Sequence, residues 1–250
     1  MKPENIILII CTVLSFFIVF AVNAVMVVIP TIAAEFHMSN IVQNWVSIIF
    51  FLVVAVLSVP AGQISGKYGL KKVTILSIIL FLIISVVNVF VTSSEQFLAC
   101  RFILGISLAF INVTSMAMLV SAFSPQERGK ALGITITGVY IGLSMSPVLG
   151  GVLNYQLGWR AVVLFGVPFL AIILLLLLFK IDDEWITFEN IPIDFKGSIF
   201  YGIGMTLFIY GFTILNQLSG VLLTALGVIF LIIFGWIELR QTHPVFDIRF

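Results

Sequence analysis

"GITITGVYIGLSMSPVLGGVL", residues 133–153, is the stretch that decides how this chain is read. It lies in a run without a charged residue from Ala131 to Trp159. Such a run suits a helix across a hydrocarbon core, which needs about 20 apolar residues. Yet its centre holds Pro147, which removes a backbone donor and bends a helix. Around the proline stand the small residues Gly142, Ser144, Ser146, Gly150 and Gly151. Gly142, Ser146 and Gly150 recur every four residues, so they share one helix face. Small residues at that spacing let a second backbone come close, and neighbouring groups can satisfy the carbonyl that proline leaves free. Two readings fit the local pattern: a hinge with a smooth contact face, or plain helix packing around a tolerated proline.

Outward from this stretch the whole chain is apolar. Of its 250 residues 61% are hydrophobic and 9% charged, against about 25% charged in an average soluble domain. The mean hydropathy is +1.25. A water-soluble core could not hide so much apolar surface, so the bilayer is the expected solvent. The expected fold class is all-α, a polytopic membrane helix bundle, because helices satisfy their own backbone in lipid. Eight segments are predicted to span: 6–29, 43–64, 73–92, 96–120, 130–154, 161–180, 197–215 and 219–238. The last two share a charge-free run, 197–237, split by the turn-like "NQLSG" at 216–220. The first is read as a retained span, since charge is absent from Asn5 to Ala34, too long for a signal-peptide core.

Charge sets the expected orientation. With the N-terminus in the cytoplasm, Lys2, Lys67, Lys71, Lys72, Arg128, Lys130, Lys180, Lys196, Arg240 and Arg249 lie inside. Only Arg160 then lies outside, and Arg101 falls within a span. This obeys the positive-inside rule and puts both termini in the cytoplasm of a plasma-membrane protein. All eleven acidic residues fall in loops, tails or span ends. The expected domains are a six-helix unit (1–180), a cytoplasmic linker (181–196), two added spans (197–239) and a cytoplasmic tail (240–250). Cys11 and Cys100 lack metal-ligand spacing, and His37 and His243 form no cluster with them. No nucleophile–base pair or phosphate-binding loop occurs. A membrane enzyme, a cofactor, a bound metal and a nucleic-acid partner are therefore not expected.

Two further motifs carry specific information. "AGQISGKYGLKKV", 61–73, reads as a short cytoplasmic loop between spans two and three. Gly62, Gly66 and Gly69 allow tight turns there, and Lys67, Lys71 and Lys72 supply inside charge. "RFILGISLAF", 101–110, puts Arg101 inside span four. An arginine in a span is costly and marks a functional site by default; the alternative is snorkelling to the outer helix end.

Taken in order, these motifs resemble those of the major facilitator superfamily, specifically its fourteen-span drug:proton antiporter branch, over nearly the whole chain. The loop is similar to G-x-L-a-D-r-x-G-r-k, with Gly62, Ile64, Lys67, Gly69 and Lys71 matching or conservatively replaced and Gly66 at the aspartate. Span four resembles R-x-x-q-G through Arg101 and Gly105, with Leu104 at the glutamine. "GLSMSPVLGG" resembles G-x-x-x-G-P-x-x-G-G, with Ser146 for the second glycine and Gly133 at an upstream one. "AVNAVMVVIP", 21–30, resembles D-x-T-i-V-N-V-A-L-P, with Ala21 at the aspartate. "WRAVVLFGVP" (159–168), "IDFKGSIFYG" (193–202) and "HPVFDIRF" (243–250) look like the entries to spans six, seven and nine.

The resemblance implies roles. Arg101 and Gly105 would serve coupling or substrate contact. Gly133, Gly142, Ser146, Pro147, Gly150 and Gly151 would form the antiporter hinge, packed between two halves. Gly62, Lys67, Gly69 and Lys71 would belong to a cytoplasmic gate. Asn23, Asn112 and Tyr140 would touch substrate if they face the cavity, with helix–helix hydrogen bonds as the alternative. The implied function is proton-coupled efflux of a lipophilic small molecule by alternating access. Superfamily transporters pack two six-helix halves around a midplane site. The chain matches the first half and two linking spans, so a C-terminal half or a second copy is expected to complete it. No span interior holds an acid, so the proton-carrying carboxylate is expected from that other half. The competing readings are an inactive truncated fragment and a multi-span receptor or scaffold.

Overall fold

The computed structural model describes residues 3–186 and 194–240, and no strand occurs among them. Its helices are α1 (Pro3–Glu35), α2 (Asn40–Tyr68), α3 (Leu70–Val87), α4 (Ser94–Ala122), α5 (Pro125–Leu157), α6 (Trp159–Leu164), α7 (Val167–Lys180), α8 (Phe195–Thr213) and α9 (Leu218–Arg240). A 3-10 turn, Asn88–Phe90, extends α3. Span six is α6 and α7 together, interrupted at Phe165 and Gly166.

Seven of these segments are long and apolar enough to cross a membrane, counting α6 and α7 as one. The sequence predicts eight spans. The remaining apolar stretch, Gly197–Thr213 within α8, is shorter. At 1.5 Å per residue, the 19 residues of α8 reach about 28 Å, just under a hydrocarbon core of about 30 Å.

The helices run past the predicted span ends because their polar ends extend beyond the apolar windows. One expectation changes as a result. The stretch 61–73, expected as a loop, is helical except at Gly69. Gly62 and Gly66 sit inside α2, where glycine is tolerated once tertiary packing holds the helix. The whole turn is Gly69, whose φ of 103° is open to glycine and strained for other residues. Local caps set other ends. Ser39 and Ser93 accept the amides of Val42 and Gln96. His37, at φ 50°, closes α1, with Met38 N donating to Ala33 O at 2.9 Å.

Within the six-helix unit α1 packs against α2, α4, α5, α6 and α7. Its buried positions Ile7, Ile10, Leu14, Phe17, Ala24, Val28 and Ile32 follow the helical period. α1 packs chiefly on α5, while α2 and α3 both pack on α4. A buried Thr74–Thr114 hydrogen bond of 2.7 Å joins α3 to α4. At the end where α1 meets α6, Glu35 accepts from both terminal nitrogens of Arg160 (2.7 and 3.1 Å) and from the Trp159 indole (2.6 Å). Arg160 Nε also donates to Val89 O at 2.9 Å, fastening the 3-10 turn.

α8 and α9 form a tight pair that touches the six-helix unit mainly through α2. The pair closes on glycine: a Cβ at Gly227 would lie 2.5 Å from Phe208 N, and one at Gly211 2.5 Å from Thr224 N. Tyr201 donates to Ala55 O at 3.1 Å across the α8–α2 contact. Asp194 caps α8 by accepting Gly197 N at 2.9 Å, and its own amide donates to Gln63 Oε1 at 2.9 Å.

Candidate functional site

Three places in the bundle hold the residues singled out in the sequence. The first surrounds Arg101. It sits two turns into α4 and is only 4% exposed, so it does not reach the helix end. Its guanidinium carbon lies 5.5 Å from the ring centroids of both Phe50 and Phe97, within the range of a cation–π contact. Its Nε has no hydrogen-bond partner among the described residues. Arg101 lines a small cavity of about 20 Å³ between α1, α2, α3, α4 and α6, together with Ala21, Ser85 and Asn88. That volume exceeds the 10–15 Å³ needed for one water. Asn88 Oδ1 is also buried without a partner. Gly105 lies one turn along α4, where a Cβ would meet Phe50 O and Val53 Cβ at 3.0 Å. Its smallness lets α2 lie close enough for Phe50 to cover Arg101.

The second place is the α1–α5 contact. Gly142, Ser146 and Gly150 share a buried face, as their spacing predicts, and Gly138 and Thr135 extend it. The partner of this face is α1, within the same six-helix unit. A Cβ at Gly138 would lie 2.7 Å from Thr12 O, one at Gly142 2.5 Å from Phe16 O, and one at Gly150 3.2 Å from Ala24 Cβ. Ser146 turns its hydroxyl back to Gly142 O, so its polar atom is satisfied inside its own helix. Pro147 stands within the continuous α5. Gly133 and Gly151 point elsewhere, with nothing within 4 Å of a Cβ at either. The motif therefore divides into a packed face and an open one, and the open side of α5 carries Tyr140, Val148 and Tyr155.

The third place is the α2–α3 corner. Gly62 faces α4, with Val113 at 3.9 Å from its Cβ position. Lys67 Nζ lies 5.9 Å from the Tyr68 ring centroid. The exposed N-terminus of α3 is capped by the segment after α7. Glu184 accepts Lys71 N at 2.9 Å and Lys72 N at 3.2 Å. Leu70 N donates to Trp185 O at 3.0 Å, and Lys71 Nζ donates to Ile181 O. A Cβ on Gly69 would strike the Glu184 carboxylate at 2.5 Å. A carboxylate at a helix N-terminus is favoured by the dipole and the free amides. Here the carboxylate comes from a distant segment, and Gly66, at the motif's aspartate position, is buried in helix.

The three candidate substrate contacts do not line the Arg101 cavity. Asn23 donates to Val19 O of its own helix at 2.8 Å. Asn112 and Tyr140 lie on exposed faces of α4 and α5. Cys11 and Cys100 are buried free thiols, and no group of three metal-ligating side chains occurs among the described residues. Residues 187–193 of the linker and the segment 243–250, with His243 and Arg249, fall outside the described residues. Sequence reading missed Asn88, Ser85 and Glu184. Asn88 carried a usable signal, a lone amide near the end of an apolar run. Glu184 carried none, since an acid in a polar linker ordinarily faces water.

Residues 9–244 match the sequence profile of the Major Facilitator Superfamily. The chain is 30% identical to the drug efflux pump JefA of Mycobacterium tuberculosis, over all of this chain and 50% of that protein. It is 27% identical to the multidrug transporter mfsC of Aspergillus fumigatus, over 96% of this chain and 47% of that protein. It is 26% identical to the riboflavin transporter RibZ of Clostridioides difficile, over 85% and 46%. The chain thus spans about half the length of these relatives. The fold is similar to that of a bacterial homolog of the human lysosomal transporter Spinster, in an inward-facing, unoccupied conformation. That likeness has a TM-score of 0.66 and 16% identity, covering 84% of this chain and 52% of the other.

Proposed function

Because this chain belongs to the major facilitator superfamily, we propose that it forms the first half, with two added spans, of a proton-coupled exporter of lipophilic small molecules. The membrane is the plasma membrane, with both chain termini in the cytoplasm and the Lys-rich α2–α3 corner inside. The mechanism is alternating access: the six-helix unit rocks against a second half around a midplane site. That second half supplies the carboxylate that carries the proton. Arg101 and Gly105 serve the coupling and substrate region, and Gly133, Gly142, Ser146, Pro147, Gly150 and Gly151 serve the hinge. The α2–α3 corner, with Gly62, Lys67, Gly69 and Lys71, forms the inside gate, which Glu184 latches in place of an aspartate at Gly66.

The observation that carries this reading is the α1–α5 contact. Over Gly138, Gly142 and Gly150 the two backbones meet almost without side chains between them, and Pro147, a residue type that bends helices, stands next to Ser146 of that face. A smooth face with a bend suits a helix that shifts against its neighbour, and the drug-pump relatives supply the substrate class.

The test is dye export. The complete coding region containing this chain is expressed in a bacterium lacking its own efflux pumps, and ethidium loss from preloaded cells is followed. Expression is expected to speed the loss, and a protonophore to abolish the gain. Export that survives the protonophore sinks the proton coupling; loss no faster than with an empty vector sinks the export reading.

A further inference from the structure

Among the described residues, Arg101 is a full charge buried without a counter-charge. The ion pair found among the described residues, Arg160 with Glu35, lies at the helix ends, and no carboxylate lines the Arg101 cavity. The two rings beside the guanidinium, Phe50 and Phe97, offset only part of the cost of stripping water from a cation. An unpaired buried charge of this kind is tolerated where something else supplies the opposite sign.

We propose that the cavity is a binding site for a monovalent anion the size of a halide ion or a carboxylate head. Four observations place it there. The space, about 20 Å³, is open to a single small ion. Arg101 Nε is a donor with no acceptor. Asn88, whose Oδ1 also lacks a partner, lines the same space, and a half-turn of its amide presents two donors instead. Ala21 lines the cavity too, and its methyl group brings no charge to the guanidinium. The negative charge therefore arrives as a ligand.

The site also has an approach. A smaller cavity shares Val22, Val25, Phe50 and Arg101 and continues to Met26, Ile29 and Ser47. Those last three residues line an open groove of about 590 Å³ beside α1 and α2, whose lip carries Gln43 and Asn44. The anion has two sources, inorganic chloride or the carboxylate of a transported solute. The second source rests on the export reading; the binding itself does not.

The experiment uses the purified full chain in detergent. Sodium chloride or sodium acetate replaces sodium methanesulfonate at constant ionic strength, and thermal unfolding is recorded. Saturable stabilisation is expected, reaching roughly 5–10 °C at a hundredfold excess over Kd. Arg101→Gln is expected to lose the response. Ala21→Asp is expected to lose it while unfolding at a higher temperature without added anion, because its own carboxylate fills the site. A response to chloride alone assigns the inorganic source; a response to acetate at lower concentration than chloride assigns the carboxylate source. No saturable response to either salt overturns the proposal, as does an Ala21→Asp protein that responds like the wild type. Failure of ethidium export leaves this titration untouched, so the two readings fall separately.

Discussion

Gly142→Ala tests the close approach of α5 to α1. A Cβ at this position falls 2.5 Å from the Phe16 carbonyl oxygen and 3.3 Å from its carbon. Both atoms are backbone, so no side-chain rotation relieves the contact. A carbon–oxygen contact normally sits at about 3.3 Å or more, so the helices must part by roughly 0.8 Å. Overpacking of this kind costs about 1–3 kcal/mol, against a gain of about 1 kcal/mol in helix propensity from glycine to alanine. Gly151→Ala is the matched control: it gains the same propensity and meets nothing within 4 Å. The difference between the two variants therefore isolates the overpacking, about 1–3 kcal/mol. At about 2–4 °C per kcal/mol, thermal unfolding of the full chain in one detergent resolves it. Gly138→Ala should follow Gly142→Ala closely, with Thr12 O at 2.7 Å, and Gly150→Ala should be milder, with Ala24 Cβ at 3.2 Å. Equal shifts for Gly142→Ala and Gly151→Ala would refute the reasoning, and so would Gly150→Ala as the least stable of the series.

Three other outcomes are expected. Glu184→Gln removes the charge that caps α3 through Lys71 N and Lys72 N. A loss of about 0.3–1 kcal/mol should appear as faster amide hydrogen exchange over residues 70–73, and unchanged exchange there contradicts the latch. Glu35→Gln breaks the bidentate pair with Arg160, whose side chains are 36% and 40% exposed. The loss should be about 1 kcal/mol or less and should shrink at high salt; a loss independent of salt means the pair is not the cause. Pro147→Ala returns a donor to the middle of α5 and should raise the unfolding temperature while slowing ethidium export. Export at the wild-type rate would show that the bend is packing and no hinge.

The helices were legible because a bilayer forces each span to satisfy its own backbone, which makes the signal local. The length of the apolar run from Ala131 to Trp159 was enough to read α5, proline included. The same locality explains the misreadings. Gly62 and Gly66 look like a turn, yet α2 packs on α4 and runs through them to Tyr68. The charge-free run 197–237 reads as two spans, and it holds α8 and α9, of which α8, ending at Thr213, is the shorter.

Partners are another matter. The spacing of Gly142, Ser146 and Gly150 places them on one face from sequence, but which helix covers that face is a long-range fact, and it is α1. Arg101 stood out because charge in an apolar span is rare. Its surroundings did not, since Ala21, Ser85 and Asn88 come from other helices and look ordinary where they stand. Glu184 reads as one more solvated linker acid until α7 delivers it to the first amides of α3. Composition and periodicity carry the solvent, the spans and the small-residue face, because each depends on neighbours in the chain. The counter-charge missing beside Arg101, the carboxylate over α3 and the contact of α5 with α1 depend on residues brought together by packing, and only the folded bundle sets them.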